Sequence, residues 1–223
     1  MLIEWYGQSA FRLDAEASVF IDPFGIPGEA VARRGITFSY PPIEGVTADL
    51  VLITHEHFDH NGADRVGGAP AVIRSTAGRL ESPIGEVVAV ASEHDEEAGT
   101  ARGPNSIFVF TLGGVRVCHF GDFGQSDLRP EQADAIGEVD LLMVPVGDGP
   151  TIGAQQATDV AERLGPRWVV PMHYRTPAIS FLETADAFLE MQTDRPVVRC
   201  DGPSFDTADL DGPAVVVPAP PSA

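Results

Sequence analysis

Lysine is absent from this 223-residue chain: all 14 basic residues are arginine. That removes Schiff-base and lysine-nucleophile chemistry. Cysteine is almost as scarce. Cys118 and Cys200 lie far apart, outside any CxxC pair, and are expected to be buried free thiols. A metal site here would therefore use nitrogen and oxygen ligands. No apolar run is long enough to span a bilayer. The opening MLIEWYGQSAFRLD also lacks the basic start and sustained apolar stretch of a secretory leader. The expected location is the cytoplasm, without a membrane partner. Positive charge is short as well: 33 acidic residues against 14 basic give a net charge of −19. Such a surface repels phosphate backbones and argues against a nucleic acid partner.

What remains is globular in composition, with 43% hydrophobic and 21% charged residues. The length suits one domain over residues 1–217, with the proline-rich 218–223 expected to be a disordered tail. LIEWYG, SAFRLD and SVFIDPF read as short strands, and DLVLIT as a strand buried on both faces. PAVIRS, EVVAVAS, NSIFVFTL and VRVCHF follow as strands, the last two joined through Gly113-Gly114 as a hairpin. The second half alternates: PEQADAIGEV, GAQQATDVAERLG and ISFLETADAFLEMQ as helices, DLLMVPV, RWVVPMH, PVVRC and AVVV as strands. Two sheets in the middle with helices outside satisfy that order. The Gly25–Pro42 segment, rich in Gly and Pro, is expected to be a loop and a candidate lid.

Potential metal ligands gather where strands end. THEHFDHNG places His55, His57, Asp59 and His60 directly after DLVLIT. His94 follows EVVAVAS, Asp122 follows VRVCHF, and His173 ends RWVVPM. If these ends share one edge, they build a single site on a rigid frame. In an extended segment His55, His57 and Asp59 would point one way, while Asp59 and His60 would point apart and reach different ions. Imidazole and carboxylate suit zinc first, with manganese or iron also accommodated. Five histidines and two aspartates exceed what one ion takes, so two divalent ions are expected. His119, inside its strand, reads as a core or supporting histidine rather than a ligand.

The chain resembles a metallo-β-lactamase-fold hydrolase. HEHFDH matches that family's H-x-H-x-D-H motif, and EHD, HFGD and PMHY follow in the family's order. WYGQSAF, FIDPF and RGPNSIFVF are similar to the branch containing L-ascorbate-6-phosphate lactonase, and the resemblance covers Ile3 to Cys200. It implies an α+β fold, a four-layer αββα sandwich of two central mixed sheets flanked by helices. It also implies a first ion on His55, His57 and His94, a second on Asp59, His60 and His173, and Asp122 bridging both. Aspartate rather than cysteine at 122 speaks against a β-lactamase of the commonest type. His57, where a di-iron oxygenase of the family has a carboxylate, speaks for hydrolysis. Many relatives of this branch carry histidine where Gln8 stands, and glutamine cannot carry a proton.

The expected reaction is attack by a hydroxide bridging the two ions on a small-molecule ester, lactone, amide or phosphodiester. Asp59 is the candidate proton carrier. Arg175, two residues past His173, is a candidate contact for an anionic substrate, as are Arg102 and Asn105. A homo-oligomer is compatible with the sequence. The rival readings are a metal-binding sensor without turnover and, opposed by the acidic surface, an RNA-processing phosphodiesterase.

Overall fold

The structure, a computed structural model, describes residues 1–25 and 37–222. Residues 26–36 of the expected lid lie outside them. One sheet is built from β1 (Leu2–Gly7), β2 (Ala10–Asp14), β3 (Ser18–Ile21), β4 (Leu50–Ile53) and β5 (Ala71–Arg74). The second begins with β6 (Gly78–Ser82), β7 (Gly85–Glu93), β8 (Pro104–Leu112) and β9 (Val115–His119), and continues with β10 (Leu141–Pro145) and β11 (Trp168–Met172). Near the end of the chain β12 (Val197–Arg199) and β14 (Ala214–Val217) join this second sheet, while β13 (Ser204–Asp206) returns to pair with β1. Both sheets are mixed. β3, β4 and β5 are parallel and the rest of their sheet antiparallel; in the larger sheet β9, β10, β11, β14 and β12 are parallel and β6 to β9 antiparallel.

Period-two alternation explains how the layers stack. In β4, Leu50 and Leu52 face the core between the sheets, and Val51 and Ile53 face a second core on the outer side. All four are fully buried, which is why this strand carries no polar residue. The inter-sheet core joins Trp5, Phe11 and Leu13 to Phe108, Phe110, Met143 and Val170 of the opposite sheet. Among the described residues three helices, α1 (Pro130–Ile136), α2 (Ala154–Leu164) and α3 (Asp186–Met191), accompany the larger sheet. The second core, beside the smaller sheet, takes in Tyr40, Ile43, Ile179 and Leu182. This is the α+β sandwich of the expected fold class. No described helix is long and apolar enough to cross a membrane.

Three local readings differ. The helix expected over 179–192 starts only at Asp186. Upstream, Ile179 forms bridges with Phe38 and Thr176, and the Glu183 N–H and C=O are taken by Gly147 and Arg175, so helical bonding is pre-empted. β6 and β13 are polar edge strands that carry little apolar pattern to read. Of the residues expected to form a tail, Pro218 is buried and the Ala219 N–H donates to the Gly202 carbonyl at 3.0 Å. The Gly113-Gly114 hairpin is present, with φ of 58° and 73°, the left-handed pair that a two-residue turn demands.

Candidate metal centre

Topology alone brings most of the candidate ligands together. β7, β9 and β11 run in the same direction in the larger sheet, so their C-terminal ends share one edge. His94, Asp122 and His173 follow those three ends. β4 delivers His55, His57, Asp59 and His60 from the smaller sheet to the same place. Three groups of ligand atoms, each within 4.8 Å of one another, result: His55/His57/His94, His55/His60/Asp122 and Asp59/His60/His173. The segment after β4 is not extended as expected. It closes in a turn, with the His60 and Asn61 N–H groups both donating to the His57 carbonyl at 2.9 and 3.0 Å. The turn brings Asp59 and His60 into one group with His173 instead of sending them to different ions, and it sets both apart from His57.

Asp122 lies at the centre. Its Oδ2 is 3.2 Å from His94 Nε2, 3.3 Å from His173 Nε2 and 3.8 Å from His55 Nε2. Its Oδ1 is 3.2 Å from His60 Nε2 and accepts from Ser9 Oγ at 3.4 Å. Burial opposes ionisation of this carboxyl, but the surrounding imidazoles of His173, His60 and His94 hold its pKa well below the usual carboxylate value.

Asp22 sets the ring orientations. It accepts from the Thr54 N–H at 2.8 Å, from Thr54 Oγ at 2.7 Å and from His60 Nδ1 at 2.9 Å. Thr54 Oγ, its proton spent on Asp22, accepts in turn from His55 Nδ1 at 3.0 Å. Both histidines thus keep Nδ1 protonated and turn Nε2 inward. His60 Nε2 is buried without a hydrogen-bond partner, and so is His94 Nδ1. His55 Nε2 faces His57 Nδ1 at 3.0 Å. Converging bare nitrogens and carboxylates are unfavourable unless a cation joins them, and the donor set of imidazole nitrogen and carboxylate oxygen fits a divalent metal. Burial, reinforced by His60, pushes the His55 pKa well down, and burial with His94 lowers that of His57. Burial works in the same direction on His60, but Asp122, Asp22 and Asp59 outweigh it and raise its pKa well above the ordinary value.

The site stores backbone strain. Gln8, Asp22 and His173 are non-glycine residues with φ of 51°, 47° and 50°. The Gln8 carbonyl accepts from Trp5 Nε1 at 3.0 Å and from the His173 N–H at 3.3 Å. Gln8 Nε2 donates to Asp59 Oδ2 at 3.3 Å, and its Oε1 is buried without a partner. His119 donates from Nε2 to the Ser9 carbonyl at 2.9 Å and accepts the Gly121 N–H on Nδ1 at 3.1 Å. With both nitrogens occupied and burial lowering its pKa, it serves as a neutral brace.

The remaining candidates part company. Asn105 is buried and donates to Ser92 Oγ and the Phe120 carbonyl, both at 2.8 Å, while its Oδ1 accepts the Asp122 N–H at 3.1 Å. All its polar atoms are engaged in holding Asp122, leaving none for a substrate. Arg175 does not line the metal cavity: its guanidinium bonds the Leu182 carbonyl and lies 3.8 Å from Glu183. Arg102 does line it. That cavity, about 360 Å³, opens over His57, Asp59, His94, Asp122 and His173. Asp22 and Ser9 escaped the sequence reading; the visible signal for Asp22 was an acid closing an apolar strand immediately before proline.

Comparison with known proteins agrees with this fold. The model of the beta-lactamase superfamily domain matches residues 2–173. The chain belongs to the metallo-β-lactamase superfamily. It is 35% identical over 224 residues to a UPF0173 metal-dependent hydrolase of Methylobacterium nodulans, covering 85% of this chain and 91% of the relative. A UPF0173 metal-dependent hydrolase of Thermus thermophilus is 33% identical, with 78% and 84% covered. Among solved structures, a Thermotoga maritima protein assigned to the Zn-dependent hydrolases of the superfamily superposes with a TM-score of 0.73 at 31% identity, covering 97% of this chain and 98% of that one.

Proposed function

We propose that this superfamily member is a two-metal hydrolase of a small molecule, cleaving an ester, lactone, amide or phosphodiester bond. The observation that carries the reading is the position of Asp122 between two ligand triads, His55/His57/His94 on one side and Asp59/His60/His173 on the other. Seven donors divide into two sets that share one carboxylate, more than a single ion accommodates. Zinc suits these ligands first, with manganese and iron next. When bound, the ions supply a nucleophilic hydroxide near neutral pH and neutralise the charge that develops on the attacked oxygen.

The chain's own residues do the rest. Asp22 and Thr54 keep His55 and His60 in the tautomer that presents Nε2. Asn105 and Ser9 fix Asp122 from behind. Asp59 lines the cavity with its side chain only 15% exposed, where it can accept the proton of the attacking group and return it to the leaving group. Gln8 has no acidic proton to give, and orients Asp59 through Nε2.

Metal content per chain, measured after purification without chelator and after reconstitution, tests the reading together with turnover of a lactone, amide and phosphodiester panel. About two ions per chain and hydrolysis lost on chelation are expected. One ion or none after reconstitution, or two ions without any hydrolysis, would overturn it.

A further inference from the structure

Apart from the prospective metal ligands, the described residues lining the cavity are Phe38, Phe58, Ala101, Arg102, Pro150 and Phe181. Five of these are apolar and one is a cation. None offers a hydroxyl or carboxamide side chain. A sugar or other polyol buried there would find no side-chain partner among them for its hydroxyl groups, and unpaired buried hydroxyls are costly.

The apolar wall is packed by aromatic contacts. Phe38 packs edge-on to Phe24, Tyr40 and Phe58, with ring centroids 5.2, 5.4 and 5.5 Å away. Phe181 also lines the cavity with 45% of its surface exposed, a large apolar side chain left in water beside it. The backbone that carries the cation is tied down. Asp95, which follows the ligand His94, is buried and accepts four backbone N–H groups: Glu97 and Gly99 at 2.8 Å, Ala101 at 3.0 Å and Arg102 at 2.7 Å. That single carboxylate ties the loop as far as Arg102 itself. Its guanidinium, exposed, makes no ion pair or hydrogen bond with another described residue, in a chain with 33 acidic residues to choose from.

We infer that the cavity selects a small amphipathic anion, its aromatic or branched apolar body lying against Phe38, Phe58 and Phe181 and its oxyanion on Arg102. The inference rests on the proposed hydrolase reading and names the substrate class of that same site. Arginine reads a planar or tetrahedral oxyanion through two parallel N–H donors, and it does so best where an apolar wall excludes water on one side. The scissile bond then lies over the ligand cluster, between the charged group and the apolar body or just beyond them.

Equilibrium binding of naphthalene-2-sulfonate, a fluorescent anion that ligates metals poorly, tests this on the purified and on the metal-loaded protein. Its neutral N,N-dimethylsulfonamide and gluconate serve as comparison ligands. The wild type is expected to bind the sulfonate at least about tenfold more tightly than either, as a charge-assisted bond predicts. Arg102→Gln should remove the preference for the anion, leave the neutral analogue's affinity in place and keep the metal content. Phe181→Ala should weaken sulfonate and neutral analogue together, and Arg102→Lys should fall between wild type and Arg102→Gln. Equal sulfonate affinity in wild type and Arg102→Gln, or gluconate competing as well as the sulfonate, would overturn the inference. Probe binding by a chain that takes up no metal would sink the hydrolase reading and leave this one standing. Hydrolysis of polyol esters as fast as of amphipathic anions would do the reverse.

Discussion

Asp22 Oδ2 lies 2.9 Å from His60 Nδ1 with both side chains fully buried, and the same oxygen accepts the Thr54 hydroxyl that braces His55. One carboxylate outside the candidate ligand set therefore governs two candidate ligands. Asp22→Asn is the informative change, because asparagine tolerates the φ of 47° found here and leaves the backbone at ease. The amide can present only one acceptor oxygen and would turn its NH₂ toward a donor. Metal affinity is expected to fall about 10- to 100-fold. Competition with a chromophoric chelator measures it; unchanged affinity would mean that the tautomers are set elsewhere.

Binding of metal should release protons, and the sign follows from the shifts. His55 and His57 are held below the ordinary value and are already neutral at pH 7, whereas His60, held well above it, carries a proton in the metal-free protein. A ligand nitrogen must lose that proton first. Proton release on metal binding is expected to come from His60, with metal affinity rising with pH until His60 deprotonates. Titration calorimetry in two buffers of different ionisation enthalpy reads the number. In the metal-free protein the contribution of His60 to stability is full below the unfolded value of 6.5 and is lost as pH rises through its raised folded value.

Asp59→Asn separates ligation from proton transfer. The amide oxygen can still face the ion, but it cannot accept and return a proton. Turnover is expected to drop about 10²- to 10⁴-fold while a substantial part of the metal is retained. Full metal and full turnover together would assign Asp59 to ligation alone.

Asn105→Ala deletes the acceptor of the Asp122 N–H and the donor to Ser92 and Phe120 in one step. These groups are buried, so the expected loss of stability is about 1–3 kcal/mol, and metal content should fall with it. Thermal unfolding and elemental analysis of the same sample check both. Arg175→Ala, by contrast, should leave substrate affinity unchanged, because its guanidinium is engaged with Leu182 and Glu183 away from the cavity. A large rise in KM for that variant would contradict the placement.

The seven candidate ligands were legible because each lies shortly after a strand whose apolar pattern is plain, and because ligand chemistry is local to the residue. Asp22, Ser9 and Asn105 were not, since what they do depends on partners 38, 113 and 17 positions away. Asn105 was visible as a polar residue near the site, but its direction was not: a carboxamide reads the same whether it faces a substrate or the backbone of Asp122. Arg175 and Arg102 were separable only by the loops that carry them. The polar strands β6 and β13 escaped because edge strands need no apolar face. The shortened α3 escaped because a buried Ile179 and Leu182 fit a helical stripe and a loop core equally well.

The candidate ligands come from four stretches between His55 and His173, one leaving the smaller sheet and three the larger, across the core that both sheets share. No hairpin or single sheet contains even one complete triad together with Asp122. High-affinity metal uptake during refolding should therefore come late, after the slow long-range docking of the sheets, and would mark the moment the two halves close. The ion is then a timer as well as a reagent: stopped-flow uptake of zinc would trail the recovery of strand signal and coincide with burial of Trp5.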